Sequence, residues 1–376
     1  MKIKSIESLA VSLPMNKPVT MAAETVTRAD NVFVRVACDD GAVGWGEAAS
    51  APTMTGETTA GMMAAVAHMR PALLDRAADD FAAIAAAMDG AIYGNTGAKA
   101  AIDIALHDLV ARAAGRPLHA LFGAKRRSRI AVLAVIGSTD EAADLREARE
   151  RWAAGYRAFK IKVGLAGPEA DGARTQSICR MLKAERESCL VSADANQGFT
   201  VDQAIRYVTT LGDCGLDFFE QPVRADNLEG MARVAASSRI PIGADEGIHS
   251  LHDIERHHAH KAAAGVSLKA IKLGGLRALH EACALCERLG MKVNISCKTG
   301  ESSVASAAAL HLAATAPALD WGLTLTSRGL AEDSTAEPLR IDNGHAVVPD
   351  RPGLGVEVDE RRLRRGQQDP SARKVA

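Results

Sequence analysis

The feature that most narrows the possible folds is an alternation. From about residue 130, eight short apolar runs are separated by seven amphipathic stretches. The runs are IAVLAV, YRAFKIKV, CLVSAD, LDFFE, IPIGAD, VSLKAI, KVNIS and DWGLTL. The stretches between them, 140–154, 169–186, 201–213, 228–238, 249–260, 276–289 and 301–314, carry helical spacing. Strands joined by helices run parallel, because each crossover returns the chain to the same end of the sheet. The count predicts an α/β fold, a modified TIM barrel of the form (β/α)7β. A doubly wound open sheet would also alternate, but no glycine-rich nucleotide turn follows the first strand. The same lack argues against an NAD-linked dehydrogenase.

Upstream, residues 3–14 and 31–48 read as strands, and Asp40-Gly41 sits between two alternating runs as a hairpin signal. Residues 97–113 read as a helix with Ala101, Ile104, Ala105 and Leu109 on one face. The expected organisation is an α+β capping domain over 1–125, a barrel over 126–340 and a return segment to the cap over 341–376. In that last part IDNGHAVVP reads as a hairpin, PGLGVEVD as an extended return, and the final dozen residues as a polar tail. Residues 15–30 and 50–56 read as loops that close over a substrate.

Composition removes several function classes. The 376 residues are 47% hydrophobic with a net charge of −1, so no global field draws nucleic acid or an anionic membrane. The basic runs at 125–129 and 361–365 are short and read as solvated surface or tail. No long uncharged run could span a bilayer, and the N-terminus lacks the pattern of a secretory signal. Seven scattered cysteines suit a reducing compartment, so the expected location is cytoplasmic. Cys283 and Cys286 form a lone CxxC in an apolar helical stretch, which reads as core packing.

In a (β/α) barrel the chemistry sits at the C-terminal ends of the strands. Strand two ends in Lys160-Ile161-Lys162, three in Asp194, four in Glu220 and five in Asp245-Glu246; six holds Lys269 and seven runs into Lys298. Three carboxylates at equivalent positions repel one another unless a cation lies among them. Hard oxygen ligands suit Mg²⁺, with Mn²⁺ also possible. Lys160 and Lys162, two apart on a strand, share a face, and one of such a pair is placed to act as a base near neutral pH. Lys269 lies across the barrel from them. Lys272 reads as an ordinary solvated lysine.

Taken in order, KxK at 160–162, DAN at 194–196, EQP at 220–222, ADE at 244–246, and Lys269 followed by Gly274-Gly275 resemble the enolase superfamily. More narrowly they resemble its muconate-lactonizing-enzyme subgroup, over nearly the whole chain. The resemblance implies Mg²⁺ at Asp194, Glu220 and Asp245, with Lys162 and Lys269 as the acid/base pair. It implies that Lys160 helps hold an enolate oxygen and that Asn196 and Glu246 support the ligands. The reaction implied is proton transfer next to a carboxylate on a small acid, with charge stabilised by metal and ammonium. Family members usually assemble as homo-oligomers.

Within the subgroup, Glu301-Ser302 resembles the Glu-Ser of dipeptide epimerases. Those enzymes also carry Asp-x-Asp on strand eight, where the matching stretch here is Asp320-Trp321-Gly322. Trp321-Gly322 looks more like the muconate enzymes, whose following Thr-Glu is Leu323-Thr324 here. Lys298, pointing inward, could pair with a second substrate carboxylate; Glu301 and Thr324 are the other candidates for substrate binding. Dehydratases of the mandelate-racemase type would need a histidine at the end of strand seven, where Ser296-Cys297-Lys298 stands. The reading is a cycloisomerase-like isomerase, with an amino-acid-derivative epimerase, racemase or dehydratase as the alternative. A non-catalytic metal-containing binding protein would more readily lack one of the two lysines.

Overall fold

The computed structural model describes residues 1–22, 25–185 and 187–367; most of the expected polar tail lies outside them. The chain opens with an antiparallel sheet, β1 (Ile3–Thr20), β2 (Thr25–Cys38) and β3 (Val43–Ala49). β2 turns into β3 at Asp39–Gly41, where Gly41 takes a positive φ of 86°, as the hairpin signal requires. Helices α1 (Thr59–Leu73), α2 (Phe81–Ala91) and α3 (Thr96–Ala113) follow.

Two expectations change here. Residues 15–20 and 25–30 are not loop but the outer end of the β1–β2 hairpin, paired through Val19↔Val26 beyond an irregularity after Pro14. Helix α3 is buried almost all round rather than on one face. It lies directly on β3 because Gly44 and Gly46 have no side chains in the way. A Cβ on Gly46 would sit 1.9 Å from the Ala101 carbonyl oxygen, and one on Gly44 would sit 2.2 Å from that of Ala105. Alanine-rich helix and glycine-bearing strand are thus two halves of one packing solution.

After β4 (Arg129–Ala131), the eight expected strands appear as β5 (Leu133–Ile136), β6 (Ala158–Lys162), β7 (Leu190–Asp194), β8 (Phe218–Glu220), β9 (Ile242–Ala244), β10 (Gly265–Leu268), β11 (Lys292–Ser296) and β12 (Leu323–Thr324). They lie in sequence order in one parallel sheet, and a parallel bridge from Val132 to Leu323 brings the first strand to the last. The ring is a barrel, not an open doubly wound sheet. Between the strands run α4 (Glu141–Ala153), α5 (Pro168–Lys183), α6 (Val201–Leu211), α7 (Leu228–Ala236), α8 (Leu251–Ala259), the single turn α9 (Ala270–Leu273) with α10 (Leu276–Leu289), and α11 (Ser303–Thr315). Cys283 and Cys286 lie on the buried side of α10.

The barrel floor is closed by Trp321, which stacks on Phe218 at 4.1 Å. Gly243 and Gly265 make room for it, since Cβ atoms there would approach its ring to 3.0 and 2.6 Å. The tail forms the predicted hairpin, β13 (Ile341–Asp342) and β14 (His345–Val347), which pairs with β4. It then returns to the cap, where the Leu354 N–H donates to Asp108 Oδ1 at 2.8 Å. The 361–365 run is solvated surface rather than tail: it forms α12 (Glu360–Gly366), with Arg361, Arg364 and Arg365 exposed, Leu363 buried and Arg362 donating to the Thr335 carbonyl at 2.5 Å.

Candidate active site

Strand alternation puts Lys160 and Lys162 on the inside of β6, while Phe159 and Ile161 are buried in the apolar core. Lys162 needs space beside it, and Gly137 provides that: a Cβ there would lie 2.8 Å from the Cβ of Lys162. On the next strands the register aligns Lys162 with Asp194 and Asp194 with Glu220. Lys160, Lys162, Asp194, Asn196, Glu220, Asp245, Glu246, Lys269, Lys298 and Thr324 all line one cavity of about 870 Å³ between barrel mouth and cap hairpin. β6 and β10 are four strands apart in the ring of eight, so Lys162 and Lys269 face each other across it.

The charges are arranged in pairs. Lys160 Nζ donates to Glu220 Oε2 at 2.5 Å. Lys162 Nζ donates to Asp194 Oδ2 at 2.6 Å and to Asn196 Oδ1 at 2.7 Å. Lys269 donates to both carboxylate oxygens of Asp245. Asn196 has a positive φ of 42°. Its amide N–H donates to Asp194 Oδ1 at 2.9 Å and its side chain to Glu246 Oε1 at 3.1 Å. A strained residue held by three such contacts fits a functional strand end.

Burial and charge act against each other at each carboxylate. Burial raises the Asp245 carboxyl, but the ammonium groups of Lys269 and Lys272 outweigh it and hold the group well below the usual range. Asp194 is likewise lowered by Lys162 and Lys160 against the effect of burial. At Glu220 burial wins and the carboxyl is raised. Burial, then Asp245 and Asp194, push Glu246 up to about 7. Burial lowers Lys160, but Glu220 and Asp194 more than compensate, and it stays above an ordinary lysine.

Among the described residues, no three histidine, cysteine or carboxylate side chains stand close enough to form a ready metal cluster; each carboxylate lies against an ammonium instead. The donor set nevertheless fits a hard divalent cation. Three carboxylates stand at the ends of adjacent strands, and Glu220 Oε1 is buried with no hydrogen-bond partner among the described residues.

Glu301, expected to touch substrate, does not line the cavity. It is buried behind Lys298, and its Oε2 accepts from the Lys298 backbone N–H at 2.9 Å. Asp320 is not at the mouth either: it pairs with Lys292 at 2.9 Å, next to the floor residue Trp321. At the end of β12 and just beyond it, Thr324, Leu325 and Thr326 line the cavity. Two residues were missed from the sequence. Gln221, also at positive φ (34°), accepts at Oε1 from the Asp245 and Gly247 N–H groups at 2.8 and 3.2 Å and so shapes the turn that carries Asp245. Lys272 is fully buried rather than solvated. The hint for Gln221 was its place beside Glu220, and for Lys272 its three-residue offset from Lys269 within one turn.

Residues 5–123 match the description "Mandelate racemase / muconate lactonizing enzyme, N-terminal domain", and residues 143–362 match "Enolase C-terminal domain-like". The chain belongs to the mandelate racemase / muconate lactonizing enzyme family. It is 35% identical to the L-Ala-D/L-Glu epimerase of Clostridium acetobutylicum over 95% of this chain and 99% of the relative. It is 34% identical to muconate cycloisomerase 1 of Pseudomonas putida over 96% and 98%. The crystal structure of muconate lactonizing enzyme from Pseudomonas fluorescens complexed with muconolactone superposes with a TM-score of 0.92 at 32% identity, covering 98% and 99% of the two chains. This member of the enolase superfamily is an isomerase, as these relatives are.

Proposed function

We propose that the chain is a Mg²⁺-dependent isomerase of the muconate cycloisomerase type, acting on a small dicarboxylic acid. The observation that carries this is the placement of Lys162 and Lys269 on opposite walls of one cavity that also holds Asp194, Glu220 and Asp245. When bound by those three carboxylates, Mg²⁺ supplies positive charge where the substrate carboxylate becomes more negative.

The protein's own groups do the rest. Lys160 adds a fixed ammonium beside the metal ligands, stabilising developing negative charge without reorganisation. In the cycloisomerase direction an oxygen of one carboxylate of an unsaturated diacid adds to the far carbon of the double bond conjugated to the other carboxylate, and one lysine Nζ delivers a proton to the carbon next to that other carboxylate. In the reverse sense, or in an epimerisation, one Nζ removes that proton, and the opposite Nζ can return it on the other face. Asn196 and Glu246 hold Lys162 and the ligand loops in register.

Charge balance supports a dianion. Lys17, Arg146, Arg151, Lys160, Lys162, Lys269, Lys298 and Arg328 line the cavity against Glu147, Glu150, Asp194, Glu220, Asp245 and Glu246, so a bound dication leaves the site positive. We assign Lys298 and Thr324 to the distal end of the substrate and Glu301 to holding the Lys298 backbone. The cap hairpin closes the site: Lys17 pairs with Glu147 of α4 at 3.1 Å, and Asn16 donates to the Arg328 and Leu330 carbonyls at 3.0 and 2.9 Å. A cap over 1–125 and 341–376, a barrel over 126–340, a cytoplasmic location and homo-oligomeric assembly complete the reading. Among the described residues, no helix is long and apolar enough to cross a membrane.

A second reading, epimerisation of an amino-acid derivative, is favoured by the 35% identical epimerase. Turnover of cis,cis-muconate against a panel of dipeptides and N-acyl amino acids separates the two. On the first reading muconate or a related diacid turns over, and Lys298→Met raises its KM about tenfold or more. Epimerisation of dipeptides or N-acyl amino acids with no turnover of muconate decides for the second.

A further inference from the structure

Lys272 is a fully buried cation that the mechanism above does not use. It sits on α9, the single turn that starts directly after Lys269 and ends at Gly274, with a φ of 89°. Its Nζ donates to Asp245 Oδ1 at 2.7 Å, to the Ser267 carbonyl at 3.0 Å and to the Asp245 carbonyl. An ammonium has three N–H groups, so every donor is in use. Its side chain is 0% exposed, and it does not line the cavity.

Lys269 differs on each count. It lines the cavity, and among the described residues its Nζ donates only to the two carboxylate oxygens of Asp245. Asp245 is therefore gripped from two sides by cations of different kinds. Its N–H is held by Gln221, and its carbonyl and Oδ1 by Lys272. Only Oδ2 depends on Lys269 alone among these partners. The turn behind Lys272 is pinned in turn by the cap, since the Leu276 N–H donates to Asp103 Oδ2 of α3 at 2.5 Å.

We propose that Lys272 is a positioning residue for the divalent cation: it fixes Asp245 by main chain and carboxylate, so that Lys269 can release that carboxylate to the metal while the strand end stays in place. The proposal rests on the metal-dependent reading of the site. It separates the two lysines that follow β10 by task, one able to exchange partners and carry a proton, the other permanently engaged. A buried ammonium is retained only where its acceptors stay in place, which is the behaviour an anchor requires.

Two measurements on the full chain test this, with Mn²⁺ as the probe. Calorimetric titration compares wild type, Lys272→Met and Lys272→Arg. Reductive methylation with formaldehyde, read by mass spectrometry, compares lysine reactivity in wild type with and without Mn²⁺. The proposal expects one Mn²⁺ bound by wild type, binding at least tenfold weaker in folded Lys272→Met, and partial recovery in Lys272→Arg. It also expects Mn²⁺ to raise methylation of Lys269 while Lys272 stays protected throughout. Wild-type affinity in folded Lys272→Met overturns it, as does methylation of Lys272 rising together with that of Lys269. If the variants do not fold, the methylation pattern of wild type decides alone. If wild type binds no Mn²⁺, the metal reading itself fails and this inference falls with it, an outcome distinct from equal binding by both proteins.

Discussion

Arg174 offers the sharpest link between stability and the site. It is nearly fully buried on α5, where it donates to Asp144 and, at 2.9 Å, to Asp171 Oδ1. Its Nη2 also donates to the Lys162 carbonyl at 2.6 Å. The two carboxylates are engaged in turn. Asp144 Oδ1 accepts from the Ser138 N–H at 2.8 Å, and Asp171 Oδ2 accepts from the N–H groups of Gly164, Leu165 and Ala166 at 2.9, 3.2 and 3.3 Å. One guanidinium thus ties together the loops that follow β5 and β6 and the end of the strand that carries Lys162. Arg174→Met keeps the apolar stem but leaves two buried carboxylates without their cation. Removing one partner of a buried ion pair costs about 3–5 kcal/mol, a large part of a typical total of about 5–15 kcal/mol. At the low end of about 2 °C per kcal/mol for a chain this long, the Tm should fall by roughly 6–10 °C. Differential scanning calorimetry and urea unfolding give the first number, and α-proton exchange in the folded variant gives the second, a fall of at least tenfold. Arg174→Lys should recover little, because an ammonium lacks the planar fork. A loss below about 1 kcal/mol with unchanged exchange would refute the reasoning, because the network would then be neither desolvated nor coupled to Lys162.

Other predictions follow from packing, burial and the metal ligands. Gly46→Ala should destabilise at or above the upper end of the roughly 1–3 kcal/mol of ordinary overpacking, since the clash is with α3 backbone; a melt within 2 °C of wild type would contradict the close-approach argument. Burial pushes His311, which lies 3.1 Å from His119, down to about 4. Folding therefore favours its neutral form, and this stability is complete above pH 6.5 and lost as the pH falls towards 4. The loss amounts to at most about 3 kcal/mol, and urea melts should show a steeper acid decline in wild type than in His311→Asn. Saturating Mg²⁺ should raise the Tm, with about 2.7 kcal/mol expected at a hundredfold excess over Kd. Asp245→Asn should abolish that increment, and a retained increment would place the metal elsewhere.

The barrel was legible because its signal repeats: each apolar run is bounded by an amphipathic stretch, and the runs ended in the residues that proved to line one cavity. Lys160, Lys162, Asp194, Glu220, Asp245 and Lys269 needed only the strand ends and the rule that side chains alternate. What stayed hidden depends on partners distant in sequence. Residues 15–20 carry Pro18 and polar side chains, so they read as loop; they continue the strand because Val19 and Thr20 pair with Val26 and Thr25. The all-round burial of α3 comes from glycines on another element. Lys272 and Glu301 have ordinary local sequence, and only the turn after β10 and the loop after β11 direct them inward, away from solvent and away from the cavity.

The central claim is that two opposed lysines and a metal held by three carboxylates move a proton next to a carboxylate. Its most direct test is α-proton exchange in D₂O, followed by NMR over a carboxylic-acid library that includes muconate and amino-acid derivatives, with and without Mg²⁺. The account predicts exchange or turnover that requires Mg²⁺ and is lost in both Lys162→Ala and Lys269→Ala. Folded, metal-loaded protein that exchanges nothing, with lysine variants that bind every ligand as wild type does, would contradict it and leave a binding protein on an enzyme's fold.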